Sequence, residues 1–428
     1  MATQFSVQDN KPWKTTFFTI WSGQALSILG SQLVQFALIW HLTVQTGSAT
    51  VLATASLVGM LPNVVLGPFI GTLVDRWNRR QIMLVADSIV ALATLLLVAL
   101  FALDVVEIWH IYAVILIRSL ASTFHGNAMS VSTSLMVPVE QLTRIQGLNQ
   151  LLNGGLNVVA APLGALLLGM LPMQGILFID VITALFAILP LIFIQVPQPE
   201  RNGVDAEKTT VWTDFKAGLR YMISWPGLLI IGLMTVGINF TIIPAFSLLP
   251  LMIKDYFGGG AIHLSWVESA MGAGMILGGA LLGIWGGFSR KILTSLVGLM
   301  GMGAGTLILA LSPASAISLA VGAALLVGFM TPMTMGPFFA VIQSTVEPEM
   351  QARVFSLLSS VGTGITPLGL MIAGPVADRF GIQAWFLLGG ILCIFMAVTG
   401  LFIPAVMNME KNGNPLTEVV GTSVKQAI

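Results

Sequence analysis

The amino-acid sequence predicts an all-α membrane protein of twelve helical spans in two related six-span halves. Three observations predict it: a composition too apolar for water, a regular succession of long apolar runs, and short motifs that recur about half a chain apart. Of the 428 residues, 56% are hydrophobic and only 8% charged, with a mean hydropathy of +0.92. That balance excludes an ordinary soluble domain of this length. A helix needs about 20 apolar residues to cross a hydrocarbon core about 30 Å thick, so twelve spans take about 240 residues and leave chain for turns and ends. A formal net charge of zero gives no sign of a nucleic-acid partner. The single Cys393 cannot form an intramolecular disulfide.

The apolar runs place spans at 16–42, 50–73, 82–103, 109–133, 145–170 and 174–195, then at 226–250, 262–286, 292–312, 315–338, 353–376 and 383–406. The first run is too long for a signal-peptide core and has no small-residue cleavage site after it, so it reads as an uncleaved span. Residues 1–195 thus form the first bundle and 226–406 the second. Between them, residues 196–225 combine prolines with charged residues and read as a cytoplasmic linker, with an amphipathic helix near 213–224 on the membrane surface. Residues 407–428 form a tail.

Lys and Arg set the expected orientation. With the N-terminus inside, cytoplasmic segments hold fifteen of them, the outer segments hold only Lys254 and Arg379, and Arg118 lies within a span. Such a bias favours both termini in the cytoplasm and an even number of spans.

The halves repeat one another. Val137-Pro138-Val139-Glu140 with Arg144 recurs as Val346-Glu347-Pro348-Glu349 with Arg353, an offset of 209; Pro162-Leu163-Gly164 recurs as Pro367-Leu368-Gly369 at 205, and the Gly67/Gly71 pair as Gly279/Gly283 at 212. Three pairs in one order at nearly one offset indicate duplication.

Where span 2 turns into span 3 stands Gly71-Thr72-Leu73-Val74-Asp75-Arg76-Trp77-Asn78-Arg79-Arg80. It resembles the signature loop of the major facilitator superfamily, Gly-x-x-x-Asp-Arg-x-Gly-Arg-Arg. Asn78 replaces the second glycine and also tolerates a left-handed backbone. The loop at Gly283 to Lys291 keeps the glycine and the basic pair but lacks the acid. Further segments narrow the resemblance to the macrolide-efflux, drug:proton antiporter branch: Ile20-Trp21-Ser22-Gly23-Gln24-Ala25, Thr46-Gly47-Ser48-Ala49, Ile117-Arg118-Ser119, Phe124-His125, Ile179-Asp180-Val181 and Val354-Phe355-Ser356-Leu357.

The resemblance implies a major facilitator fold, two pseudo-symmetric bundles with a substrate site near the midplane between them, and efflux driven by the proton gradient. It also implies that Gly71, Asp75, Arg76, Arg79 and Arg80 form a gating loop, in which Asp75 meets the start of span 11, whose dipole favours a carboxylate. Asp87 in span 3 is placed to support that loop.

Ionisable groups within spans cost about 2.5–3.5 kcal/mol near a helix centre, which makes each a functional candidate. Besides Asp87 these are Arg118, Asp180 and Glu268. Glu268 reads either as a proton- or substrate-coupling carboxylate or as a solvated group near the end of span 8. Arg118 is expected to pair with a carboxylate of its own half, as structural glue or as a switch. Asp180, on a peripheral span, reads as structural support or as part of the same coupling set.

Polar stripes mark a candidate cavity lining: Gln24, Ser27, Ser31 and Gln35 lie within about 80° on span 1, and Asn149, Asn153 and Asn157 do so on span 5. Asn239 on span 7 and Ser356, Ser360 and Thr363 on span 11 would complete it. The same residues could instead join helices by hydrogen bonds. The glycines of spans 8 and 9 read as close-packing surfaces. Without a Gly-x-x-x-x-Gly-Lys-Ser/Thr loop or a His-Glu-x-x-His pair, neither an ATP site nor a metal or other cofactor is expected, and no enzymatic activity.

The expected function is therefore secondary active export of a small amphipathic molecule, coupled to protons, by a monomer in a bacterial cytoplasmic membrane. Export of an endogenous metabolite or siderophore is the competing transport reading. A non-transporting sensor or a lipid scramblase is the competing class.

Overall fold

The computed structural model describes residues 13–196 and 211–412; the side chains of a few helical residues, Gly71, Asp75 and Arg76 among them, lie outside that description. The described residues contain no β-strand, and each of the twelve apolar runs forms one long helix. These are α1 (Trp13–Thr46), α2 (Ala49–Arg76), α3 (Arg79–Ala102), α4 (Ile108–Met136), α5 (Val139–Met170), α6 (Met173–Phe193), α7 (Pro226–Ser247), α8 (Ala261–Trp285), α9 (Lys291–Leu311), α10 (Ile317–Thr345), α11 (Pro348–Phe380) and α12 (Ile382–Phe402).

Several extend past the apolar core into polar ends, as α1, α5 and α11 do. Eleven of the described helices are long and apolar enough to cross a membrane. The exception, α4, carries Arg118, His125, Asn127 and a run of Ser and Thr that lower its hydropathy.

Both copies of the repeated turn begin a helix. Pro138 caps α5, with Glu140 in its first turn, while Glu347 caps α11 and Pro348 opens it. Proline suits these places because its fixed φ is helical and its missing N–H would be unpaired there anyway. Pro162 and Pro367 remain inside α5 and α11, a placement that membrane helices tolerate.

Two compact units divide the described chain: residues 13–37, 61–156 and 167–196 in the first, and 38–60, 157–166 and 211–412 in the second. The division leaves the sequence halves at two places, where the α1–α2 turn and a stretch of α5 group with the second unit.

In the first unit, α3 packs on α4 and α6, and Phe17, Ile20, Ile70, Met83, Ala128 and Leu191 share one core. Gly23 and Gly30 let α1 approach α6 closely, since a Cβ on either would fall 2.2 Å from the Phe186 carbonyl oxygen and 2.0 Å from Thr183 Oγ1. Arg80 donates to the Leu191 and Ile192 carbonyls, satisfying orphan acceptors at the end of α6.

In the second unit, glycine contacts join the helices. A Cβ on Gly274 would lie 2.2 Å from the Leu325 carbonyl oxygen, one on Gly278 2.0 Å from that of Phe329, and one on Gly328 1.9 Å from that of Met271. These place α8 backbone to backbone with α10, the small-residue contact that membrane helices favour. Gly298 and Gly303 do the same for α9 against α10 and α12.

A linker helix spans Val211–Ser224, and part of it packs on protein. Tyr221 and Met222, with Trp225 just beyond, are buried in the core of the second unit. The linker residues 197–210 and tail residues 413–428 lie outside the described ones.

Candidate functional site

Within the first unit, charged and polar groups that the sequence scatters over α1, α3, α4 and α6 come together. Asp180 on α6 is fully buried and accepts from Ser31 Oγ of α1 and Thr94 Oγ1 of α3, each at 3.0 Å. Arg118 on α4 pairs with the same carboxylate and also donates to Thr94. A buried acid with a guanidinium and two hydroxyls has its lone pairs used and its charge balanced. The expected carboxylate partner of Arg118 is therefore Asp180.

A second cluster in the same unit centres on Asp87 of α3. Gln24 Nε2 donates to Asp87 Oδ2 at 2.9 Å, and His125 Nε2 of α4 lies 3.5 Å from Oδ1. The described partners of Asp87 are thus on α1 and α4. The α1 stripe is divided accordingly: Gln24 and Ser31 serve these carboxylates, Ser27 is buried and Gln35 is exposed.

At the signature loop, Gly71, Asp75 and Arg76 occupy the last turns of α2, and their side chains lie outside the described ones. Asn78 corrects one expectation. Its backbone is extended, at φ −70° and ψ 114°, not left-handed. It caps α3, its side chain accepting from the Gln81 N–H at 3.2 Å, a role that favours Asn strongly. Arg79 is buried, and Arg80 reaches the end of α6 as described above.

The remaining polar residues divide by unit. In the first, Trp21 Nε1 donates to Asn149 Oδ1 at 2.7 Å, and Asn153 is exposed. In the second, Asn157, Ser356, Ser360 and Thr363 are exposed, whereas Asn239 is half-buried and donates to the Thr235 carbonyl at 2.9 Å. Exposed polar groups on membrane helices are costly against lipid, so these faces are candidates for a hydrated path.

Glu268 differs from the buried acids Asp87 and Asp180. It sits half-buried on α8, and among the described residues no hydrogen bond or ion pair engages its carboxylate. Its neighbour Ser269 is engaged, donating to the Val158 carbonyl at 3.0 Å, and a Cβ on Gly272 would lie 3.1 Å from the Val158 side chain. Close packing around it thus leaves the Glu268 carboxylate without a described counter-charge.

Asp378 was missed in reading the sequence. It stands in the last turn of α11 and accepts four hydrogen bonds from Ser48, Ala49 and Thr50 at the start of α2, all within the second unit. The signal was present in the chain: Gly374-x-x-x-Asp378-Arg379-x-Gly381 repeats the spacing of Gly71-x-x-x-Asp75-Arg76-x-Asn78. The loop at Gly283, which corresponds to Gly71 by the offset of 212, lacks the acid. No group of three or more potential metal ligands occurs among the described residues.

The sequence profile of the Major Facilitator Superfamily matches residues 20–369 and, in a second match, 246–419. Macrolide efflux protein A of Streptococcus pyogenes is 35% identical over 399 residues, covering 93% of this chain and 98% of that protein. The protein of the same name from Enterococcus faecalis is 34% identical over 325 residues, 76% of this chain and 100% of that one. In fold, a bacterial homologue of the human lysosomal transporter Spinster superposes with a TM-score of 0.68 at 13% identity, covering 95% of this chain and 98% of that one. Family profile, relatives and helical architecture agree: this chain belongs to the Major Facilitator Superfamily and is a multi-pass membrane protein.

Proposed function

We propose that this protein exports a macrolide-like amphipathic molecule from a bacterial cell in exchange for protons, by alternating access. Similarity to macrolide efflux proteins along nearly the whole chain supports the substrate class. Within the second unit, the exposed neutral polar groups Asn157, Ser356, Ser360 and Thr363 suit a large ligand with many hydroxyls and carbonyls better than a highly charged one. The excess of Lys and Arg on one set of connections supports a cytoplasmic-membrane location with both termini inside.

The observation that carries proton coupling is Glu268, an intramembrane carboxylate without a counter-charge among the described residues. An acid so placed can bind and release a proton without dismantling an ion pair. A potential of about 150 mV supplies about 3.5 kcal/mol per charge moved, enough for one proton to sustain a gradient of a few hundredfold for an uncharged substrate. One coupling group is therefore sufficient, with no need of ATP or another cofactor, in a monomeric secondary transporter. Arg118 and Asp180 hold the first unit in shape in this reading, and Asp75 acts with Arg76 as a gate.

The test is erythromycin uptake into inverted vesicles under an imposed pH gradient, for the wild type and for Glu268→Gln. The variant is expected to lose gradient-driven accumulation by about tenfold or more while retaining passive exchange of labelled for unlabelled erythromycin. Unchanged uphill transport would remove Glu268 from the mechanism.

A further inference from the structure

The end of α11 and the beginning of α2 meet at one carboxylate. Asp378 Oδ1 accepts the Ala49 N–H at 2.7 Å, and Oδ2 accepts the Thr50 N–H at 3.0 Å, Thr50 Oγ1 at 2.6 Å and Ser48 Oγ at 3.2 Å. The two N–H groups belong to the first turn of α2, where no intrahelical acceptor exists and the helix dipole favours negative charge. Gly374, one turn earlier on α11, makes the approach possible, since a Cβ there would lie 2.7 Å from Thr50 Cα. Gly381, at φ +88°, then ends the helix, a backbone conformation that glycine adopts without strain.

Helix α2 already has a cap of its own. Ser48 Oγ accepts the Val51 N–H at 3.4 Å, as an N-cap serine does. Asp378 is thus not required to start α2; it adds a separable contact between helices that come from different sequence halves. It does so with the Gly-x-x-x-Asp-Arg spacing that also occurs at Gly71–Arg76.

We propose that Asp378 is a conformational latch: its hydrogen bonds to the start of α2 hold one state of the transport cycle and must release Ala49 and Thr50 for substrate to cross. This rests on the alternating-access reading above. In the orientation proposed there, the latch lies on the outer side.

The experiment uses the full chain in lipid nanodiscs for amide hydrogen exchange and in proteoliposomes for erythromycin transport. In the wild type, exchange at Ala49 and Thr50 is expected to be slow at rest and to rise several-fold with erythromycin or an imposed pH gradient. Asp378→Ala should raise resting exchange at these amides about tenfold and abolish its response, as loss of a charge-assisted hydrogen bond implies. Transport per protein molecule should fall about tenfold, with erythromycin affinity within about twofold of the wild type.

If Asp378→Ala does not accumulate, Asp378→Asn decides, because it keeps an acceptor but loses the charge; changes of about threefold in both readouts are expected. Wild-type exchange in the variant, or raised exchange with undiminished transport, would overturn the latch. If the wild type moves no erythromycin, the substrate assignment fails instead, and the latch stands or falls on whether exchange at Ala49 and Thr50 answers the pH gradient.

Discussion

The two compact units are held together by different chemistry. The first joins α1, α3, α4 and α6 through buried charge: Asp180 with Arg118, Ser31 and Thr94, and Asp87 with Gln24 and His125. The second joins α8, α9, α10 and α12 through glycine, with carbonyl oxygens where side chains would otherwise stand. The ion pair of Lys254 with Asp255 lies near the end of a helix rather than in the core. In a bundle built on backbone contact, Glu268 has no counter-charge among the described residues. The contrast separates two settings of an intramembrane acid: a carboxylate ringed by donors, as Asp180 is, and one without a described partner, as Glu268 is.

The strongest way to break this comparison is to remove one member of the saturated cluster. Asp180→Ala should destabilise the protein by about 3–5 kcal/mol, because Arg118 is left buried without its counter-charge. Asp180→Leu combined with Arg118→Leu should recover most of that loss. Accumulation in membranes and thermal unfolding in detergent measure both.

Next comes the glycine surface. Gly328→Leu should cost about 3 kcal/mol, since the added atoms meet the Met271 carbonyl and helix backbones cannot yield as side chains do. Gly279→Ala, which meets no heavy atom within 4 Å, should lie within about 0.5 kcal/mol of the wild type. Equal losses for the two would refute packing as the role of the glycines.

A smaller effect is expected of Gln24→Leu, which deprives Asp87 of one donor at a cost of about 1.5–2 kcal/mol. Smallest in stability is Glu268→Gln, at most about 0.5 kcal/mol, because no described contact is lost. Its unfolding temperature should match the wild type even as coupled transport fails. A large fall would mean that Glu268 is structural, and the comparison between the units would collapse.

The apolar runs were sufficient to predict the twelve helices because a bilayer imposes a length and an internal hydrogen-bonding requirement that sequence alone displays. The glycines of α8 and α9 were legible as contact surfaces for a similar reason, since little else explains them in a span. The α1 stripe was less so. Helical geometry places Gln24, Ser31 and Gln35 on one side, but it does not say whether that side meets a cavity or a neighbour's carboxylate, and two of the three donate to Asp87 and Asp180. Asn78 shows the same limit at one residue: its type allowed a left-handed turn, yet its neighbours made it the cap of α3.

What the sequence determined by itself was the fold class, the duplicated motifs and the signature loop, all features written in local patterns of hydropathy and spacing. What the tertiary structure decided was the state of each charge. Asp180 lies 62 residues from Arg118 and Asp378 lies 329 from Ala49, and no local pattern encodes such meetings. They depend on which helix faces turn towards one another, and only packing fixes that.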